Sequence, residues 1–231
     1  MDLRYKALIF DLFGTLVDVF SMNAHDAAVV AMADILQIRL SDFSPLWGDG
    51  TYTQRSNGTF TSIEENLAYI CRHLKISPGE QRIQQAAGVR YEFTRGALKP
   101  KPEALDLLTW LKQEGYRTGL VSNCAPDVPH LWHTTPLAEF IDVPIFSCEV
   151  KIKKPDPRIY RLACERLRVA PETCLYVGDG SDRELTGAKK VGLSPVLVLT
   201  SLVDAYDAQR LDVDAWKGRI VQSLNAIPTL L

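Results

Sequence analysis

Four places in the chain carry residues able to act on a charged substrate. Asp11 follows the apolar run Ala7-Leu8-Ile9-Phe10, and Ser122-Asn123 follow Gly119-Leu120-Val121. Lys154 stands in Lys151-Ile152-Lys153-Lys154-Pro155, and Asp179 follows Cys174-Leu175-Tyr176-Val177-Gly178, with Glu184 a short way on. A carboxylate serves as nucleophile or as ligand to a hard cation, and a lysine offsets anionic charge. Two carboxylates brought together repel; a divalent cation relieves this, and oxygen ligands suit magnesium. Taken singly, each residue also has an ordinary structural explanation. Asp11, Ser122 and Asn123 are common turn residues, and Asp179 could cap a helix that Ser181 or Asp182 would cap as well. Glu184 could simply favour a first helical turn. Of the lysines, Lys151 and Lys153 read as solvated.

The elements around these residues give them a common place. Short apolar runs at 7–10, 119–121, 174–177 and 195–199 read as strands, and 143–146 as a fifth whose Pro144 suits only a strand start or an edge. Leu105, Leu108 and Leu111 mark a helix over 102–114; others follow at 157–167 and at 181–191, closed by Gly192. Alternating strands and helices imply a parallel sheet covered on both faces, with ligands beyond the carboxyl ends of its strands. Asp11, Ser122, Asn123 and Asp179 all fall at such ends. Between 18 and 97 the alternation stops, and helices are expected at 24–36, 42–52, 63–74 and 78–93. Lys99-Pro100-Lys101-Pro102 then returns the chain stiffly to the sheet. The expected division is an α/β domain, 1–17 with 98–231, carrying an all-helical insertion, 18–97.

Composition narrows the function classes. The chain has 231 residues, 46 % hydrophobic and 23 % charged, enough for a substantial core. A net charge of -2, from 26 basic and 28 acidic side chains, gives no field for nucleic acid or an anionic membrane. The five cysteines have no C-x-x-C spacing and read as buried thiols. Met1-Asp2-Leu3-Arg4-Tyr5-Lys6 puts charges where a signal peptide would be apolar, so a cytoplasmic protein without membrane contact is expected. His130 and His133 lack a zinc-site pattern.

Asp11-Leu12-Phe13-Gly14-Thr15-Leu16, Val121-Ser122-Asn123, Lys154-Pro155-Asp156-Pro157 and Gly178-Asp179 with Glu184, Gly187 and Ala188 resemble, in order, the four motifs of the haloacid dehalogenase superfamily. The resemblance spans nearly the whole chain. It implies a doubly wound, Rossmann-like sheet whose insertion is a helical cap. Asp11 would be the nucleophile, forming an aspartyl-phosphate; Ser122, with Asn123 beside it, would bind a phosphoryl oxygen. Lys154 would offset the charge. Asp179, Asp11 and the main-chain carbonyl of Phe13 would hold Mg2+, with Glu184 in direct or water-mediated contact.

One position departs from the phosphatase pattern. Phosphatases of the superfamily carry a second Asp two residues after the nucleophile as general acid and base, and here Phe13 stands there. The resemblance therefore implies a magnesium-dependent phosphatase acting on a small phosphorylated metabolite, as monomer or homodimer, best with good leaving groups. It also leaves two alternatives. One is a metal-independent 2-haloacid dehalogenase, for which Arg55 with Trp47 could hold halide and carboxylate; the other is a weakly active or non-catalytic phosphoryl-ligand binder. A Schiff-base lysine like that of a phosphonoacetaldehyde hydrolase would have to be Lys75, which reads as a solvated helix residue. Arg55, Asn57 and Gly58 are expected in a loop between cap helices, where substrate choice is set.

Overall fold

The computed structural model describes residues 4–205, 210, 212–213 and 216–231. The chain begins with β1 (Ala7–Phe10) and passes directly into five helices: α1 (Met22–Leu36), α2 (Leu40–Trp47), α3 (Asp49–Ser56), α4 (Ile63–His73) and α5 (Glu80–Ala97). It continues through α6 (Pro102–Gln113), β2 (Arg117–Ser122), α7 (Asp127–Trp132), β3 (Val143–Phe146), α8 (Ser147–Val150), α9 (Pro157–Leu167) and β4 (Cys174–Gly178). The last elements are α10 (Glu184–Val191), β5 (Ser194–Val198) and β6 (Arg219–Val221).

Among the described residues the strands form one six-stranded parallel sheet, ordered β3-β2-β1-β4-β5-β6. Side chains alternate across it. Leu8, Phe10, Leu175 and Val177 enter one core layer; Ala7, Ile9, Cys174 and Tyr176 enter the other. With both faces covered, strands can be apolar throughout, which is why these runs are continuous. Pro144 lies on edge strand β3, as its missing donor requires. The three-residue β6, with half-exposed Ile220, carries no apolar run and was not expected. Chain order reverses between β1 and β4, so the crevice of this doubly wound sheet opens beside β1.

The inserted helices have their own core, in which Met32, Phe43, Trp47, Ile63, Leu67, Ile70 and Ala86 pack together. Local chemistry explains their ends. Ser21 caps α1 by accepting from the Ala24 amide. In α4 the Ser62 hydroxyl accepts from Glu65 N, while the Glu65 carboxylate accepts from Thr61 N, a variant of the capping box. The single helix expected over 42–52 is two, because the chain breaks at Gly48, which ends α2 and starts α3. Arg55 therefore lies inside α3 and not in a loop. At α5, Gly79 in the left-handed region delays the start to Glu80, and the helix runs on through Thr94 to Ala97. No helix among the described residues is long and apolar enough to cross a membrane.

Candidate active site

The turn after β1 positions Asp11. Its amide donates to Val177 O on β4 at 2.9 Å, so the carboxylate leaves the sheet at the crevice. Thr15 Oγ1 donates to its Oδ2 at 3.3 Å, and Lys154 Nζ donates to Oδ1. Gly14 closes the turn with φ +81°, where a Cβ would stand 2.0 Å from Asp179 Oδ2. Only glycine allows that close approach and that backbone conformation.

Lys154, Asp179 and Glu184 complete the cluster. Lys154 Nζ also donates to Glu184 Oε2 at 2.6 Å, and that oxygen accepts from Tyr176 Oη at 2.8 Å. Glu184 Oε1 accepts from Gly180 N at 3.0 Å. Asp179 Oδ1 accepts from Ser181 N at 3.1 Å, and its Oδ2 accepts from Arg210 Nε at 2.6 Å. One oxygen from each of Asp11, Asp179 and Glu184 lies within 4.8 Å of the others, and all three residues are buried. Burial raises the Asp11 pKa, with the Asp179 charge adding to it against Lys154. Burial, then the Asp11 charge, pushes Glu184 up to about 8. Burial works against the Lys154 ammonium, but Asp11 and Glu184 outweigh it and raise its pKa well above the ordinary value. Three hard oxygen donors on one buried spot are a donor set that fits magnesium.

The flanking residues orient these groups. Asn123 is fully engaged: its Oδ1 accepts from Lys154 N at 2.8 Å, and its Nδ2 donates to Lys154 O at 3.2 Å and Asp182 Oδ2 at 2.8 Å. It thus fixes the backbone that carries the lysine. Ser122 Oγ is buried at the end of β2, behind the cavity wall that its neighbour Asn123 lines, with no hydrogen-bond partner among the described residues. The helix expected over 181–191 begins only at Glu184, because Asp182 and Arg183 both adopt left-handed backbone. Asp182 bonds Asn123 instead of capping α10.

A cavity of about 460 Å³ joins this cluster to the inserted helices. Asp11, Asn123, Lys154 and Arg210 line its sheet end, and His25, Arg55 and Arg90 line its helical end. Phe13 forms a wall between them, its ring 4.2 Å from Phe20, which stacks at 5.3 Å on Phe93. Arg55 donates to Thr51 Oγ1 and Asn66 Oδ1 at 2.7 and 2.8 Å and lies 4.1 Å over the Trp47 ring. The structure therefore brings Asp11, Lys154, Asp179 and Glu184 together and sets Arg55 at the far end of the same space. Lys75, exposed beyond α4, lies off the cavity wall.

A family model for haloacid dehalogenase-like hydrolases matches residues 5–192. The chain belongs to that family. Two relatives show its breadth. A glyceraldehyde 3-phosphate phosphatase of Methanopyrus kandleri is 33% identical over 198 residues, 84% of this chain and 83% of that protein. A (S)-2-haloacid dehalogenase 4A of Burkholderia cepacia is 30% identical over 200 residues, 84% of this chain and 82% of that protein. The fold is shared with the crystal structure of a 2-haloacid dehalogenase from Pseudomonas syringae pv. tomato: TM-score 0.69, 20% identity, 98% of this chain and 97% of that one.

Several residues of this haloacid dehalogenase-like hydrolase differ from their expected places. Lys153 is only partly exposed. Its ammonium donates to Ser56 Oγ in α3 at 2.8 Å, burial lowers its pKa, and it ties the sheet domain to the insertion. Ser147 Oγ reaches Ser56 O at 2.7 Å, and a Cβ on Gly58 (φ +76°) would stand 2.0 Å from Cys148 O. All five cysteines are buried, free thiols. Arg210, Arg90 and His25 also line the cavity, at positions that no motif in the sequence singles out. Arg90 Nε meets Asp127 Oδ2 at 2.6 Å, a pairing between α5 and α7 that no sequence spacing announces.

His25 carries a pH prediction. Burial lowers its pKa from 6.5, and Arg90 and Arg55 add to this against Asp26. The unfolded chain therefore binds a proton near pH 6 that the folded chain does not. Stability is full above about pH 6.5 and is lost as pH falls toward the folded pKa. Between pH 7.5 and 5.5, wild type should lose more Tm than His25→Gln; equal losses in calorimetry would contradict the assignment.

Proposed function

We propose that the protein is a magnesium-dependent phosphatase acting on a small phosphorylated metabolite through an aspartyl-phosphate. The observation that carries this is the convergence of three buried carboxylates beside a buried lysine, with the unsatisfied Ser122 hydroxyl on the neighbouring strand end. Asp11, Asp179 and the carbonyl of Phe13 would hold the ion, with Glu184 behind them, and the ion would supply charge neutralisation for a dianionic phosphoryl group.

Asp11 attacks phosphorus in line. The bond to the leaving oxygen breaks, and the phosphoryl group passes to the aspartate. Lys154, held by Asn123, keeps positive charge against the transferring group. Ser122 Oγ, one residue from the cavity-lining Asn123, would donate to a phosphoryl oxygen. Water then attacks phosphorus, freeing phosphate and restoring Asp11. At position 13 an aromatic wall replaces the usual acid, so leaving groups that need no proton react best. The inserted helices act as a cap that excludes water, and Arg55 meets the remote end of the substrate.

A second reading has an observation of its own. All six oxygens of Asp11, Asp179 and Glu184 already accept hydrogen bonds from the protein, and Arg210 supplies a cation at Asp179. Such a site could run a metal-independent 2-haloacid dehalogenation, in which Asp11 displaces halide from carbon and water hydrolyses the ester.

Both readings meet one test. Wild type and Phe13→Asp are assayed with p-nitrophenyl phosphate, with an alkyl phosphate and with 2-chloropropionate, each with magnesium and with chelator. The phosphatase reading expects magnesium-dependent p-nitrophenol release, and Phe13→Asp should raise turnover of an alkyl phosphate about 10²-fold or more by restoring an acid. Metal-independent chloride release would overturn it. Phosphate binding without turnover of either substrate would leave a binding protein.

A further inference from the structure

Asp179, the residue most central to holding a cation, does not face the cavity. It is 1 % exposed and absent from the cavity wall, whereas Arg210, bonded to its Oδ2, lines that wall. The guanidinium thus stands between the cavity and the carboxylate. Oδ2 is also the oxygen pressed against Gly14, on the side of the Asp11 turn, while Oδ1 is turned away to Ser181 N. The oxygen nearest the Asp11 turn is therefore the one the arginine holds.

We propose that Arg210 is a resident counter-cation of Asp179, which a divalent ion must displace in order to bind, so that this arginine sets the affinity of the site for metal. The proposal rests on the reading that a divalent cation binds at Asp11 and Asp179. A guanidinium at 2.6 Å and a dication at about 2.1 Å on one carboxylate oxygen repel strongly in a buried place. Binding is then an exchange of cations, and apparent affinity falls by the fraction of time Arg210 is in place.

Described residues near Arg210 in sequence are fastened to two elements of the fold. Two residues on, Asp212 N donates to Gly180 O at 3.2 Å, and the Asp212 carboxylate accepts from Thr186 N at 3.0 Å and Thr186 Oγ1 at 2.5 Å. Six residues before, Asp204 accepts from Ser21 Oγ at 2.5 Å and Asn23 N at 3.1 Å, and its carbonyl accepts from Met22 N at 2.7 Å. One fastening is at the start of α10 and the other at the N-terminus of α1. Arg210 thus falls, in sequence, between two fastened residues, Asp204 and Asp212, and outside the four motifs.

The test measures metal, not turnover. Full-length wild type, Arg210→Gln and Arg210→Lys are titrated with Mn2+, following the free ion by electron paramagnetic resonance, each also in an Asp179→Asn background. Arg210→Gln is expected to bind Mn2+ at least tenfold more tightly than wild type, Arg210→Lys to lie between them, and Asp179→Asn to abolish the gain. Equal or weaker binding in both Arg210 variants would overturn the exchange while leaving the cation reading standing. Absence of Mn2+ binding in every variant would overturn both, and is distinguishable on that ground. A readout needing no substitution is the Arg210 Nε–Hε resonance, expected to be protected from solvent exchange in metal-free protein and to lose protection at saturating Mg2+. Protection retained at saturation would overturn the proposal.

Discussion

Asp11→Asn is expected to reduce hydrolysis of p-nitrophenyl phosphate by at least about 10⁴-fold, because the amide cannot accept the phosphoryl group and no other group on the cavity wall duplicates its position. The fold should survive the change. The substitution removes a carboxylate whose ionisation is opposed by burial and by Asp179, so the loss of its bond to Lys154 is partly offset. Urea denaturation should give a midpoint close to wild type, and a phosphorylated protein trapped by acid quench should be seen in wild type alone. Residual activity above a hundredth of wild type would remove Asp11 from the nucleophile's role.

Lys154→Met should damage both stability and turnover. Lys154 bridges Asp11 and Glu184, and all three side chains have under a tenth of their surface exposed. Removing the lysine leaves two buried carboxylates without their shared cation, which costs about 3–5 kcal/mol. The urea midpoint should fall accordingly at constant m, and turnover should fall at least about 10²-fold. Adding Glu184→Gln should restore part of the stability but none of the activity, since the neutral amide no longer needs a counter-charge. If the single variant unfolds at the wild-type midpoint, the triad is not the buried charge network described above.

How much of this could be read beforehand depended on how local the cause was. Strands β1, β2 and β4 were legible because a strand buried on both faces must be apolar at every position, and the polar residue ending each run marks the sheet edge where chemistry can occur. Asp11, Ser122, Asn123 and Asp179 are legible in this way, Lys154 instead as a lysine directly before a helix, and their order matches a family pattern. Strand β6 was not legible, since three residues at a sheet edge with Ile220 half exposed leave no pattern. The break at Gly48 was visible as a glycine but was smoothed over by the helical periodicity on either side. Arg210 and Arg90 escaped notice for a different reason. Their partners lie 31 and 37 residues away, on elements brought alongside only by the tertiary fold. The solvation expected of Lys153 rests on the average behaviour of lysines, which says nothing about a hydroxyl on another element.

The Arg90–Asp127 contact bears on how α5 is set against α7. Arg90 lies over the ring of Phe93 at 4.8 Å, and Thr94 Oγ1 shares Asp127 Oδ2 with it, while Asp127 Oδ1 is buried without a partner among the described residues. Both charges regain full hydration if α5 lifts from α7, so the ion pair adds little net driving force to the closed arrangement. Its value is in register: the Asp127 carboxylate must meet both the Arg90 guanidinium and the Thr94 hydroxyl, one turn apart on α5. The contact thus specifies sharply how α5 sits on α7 while adding little to the free energy that holds it there.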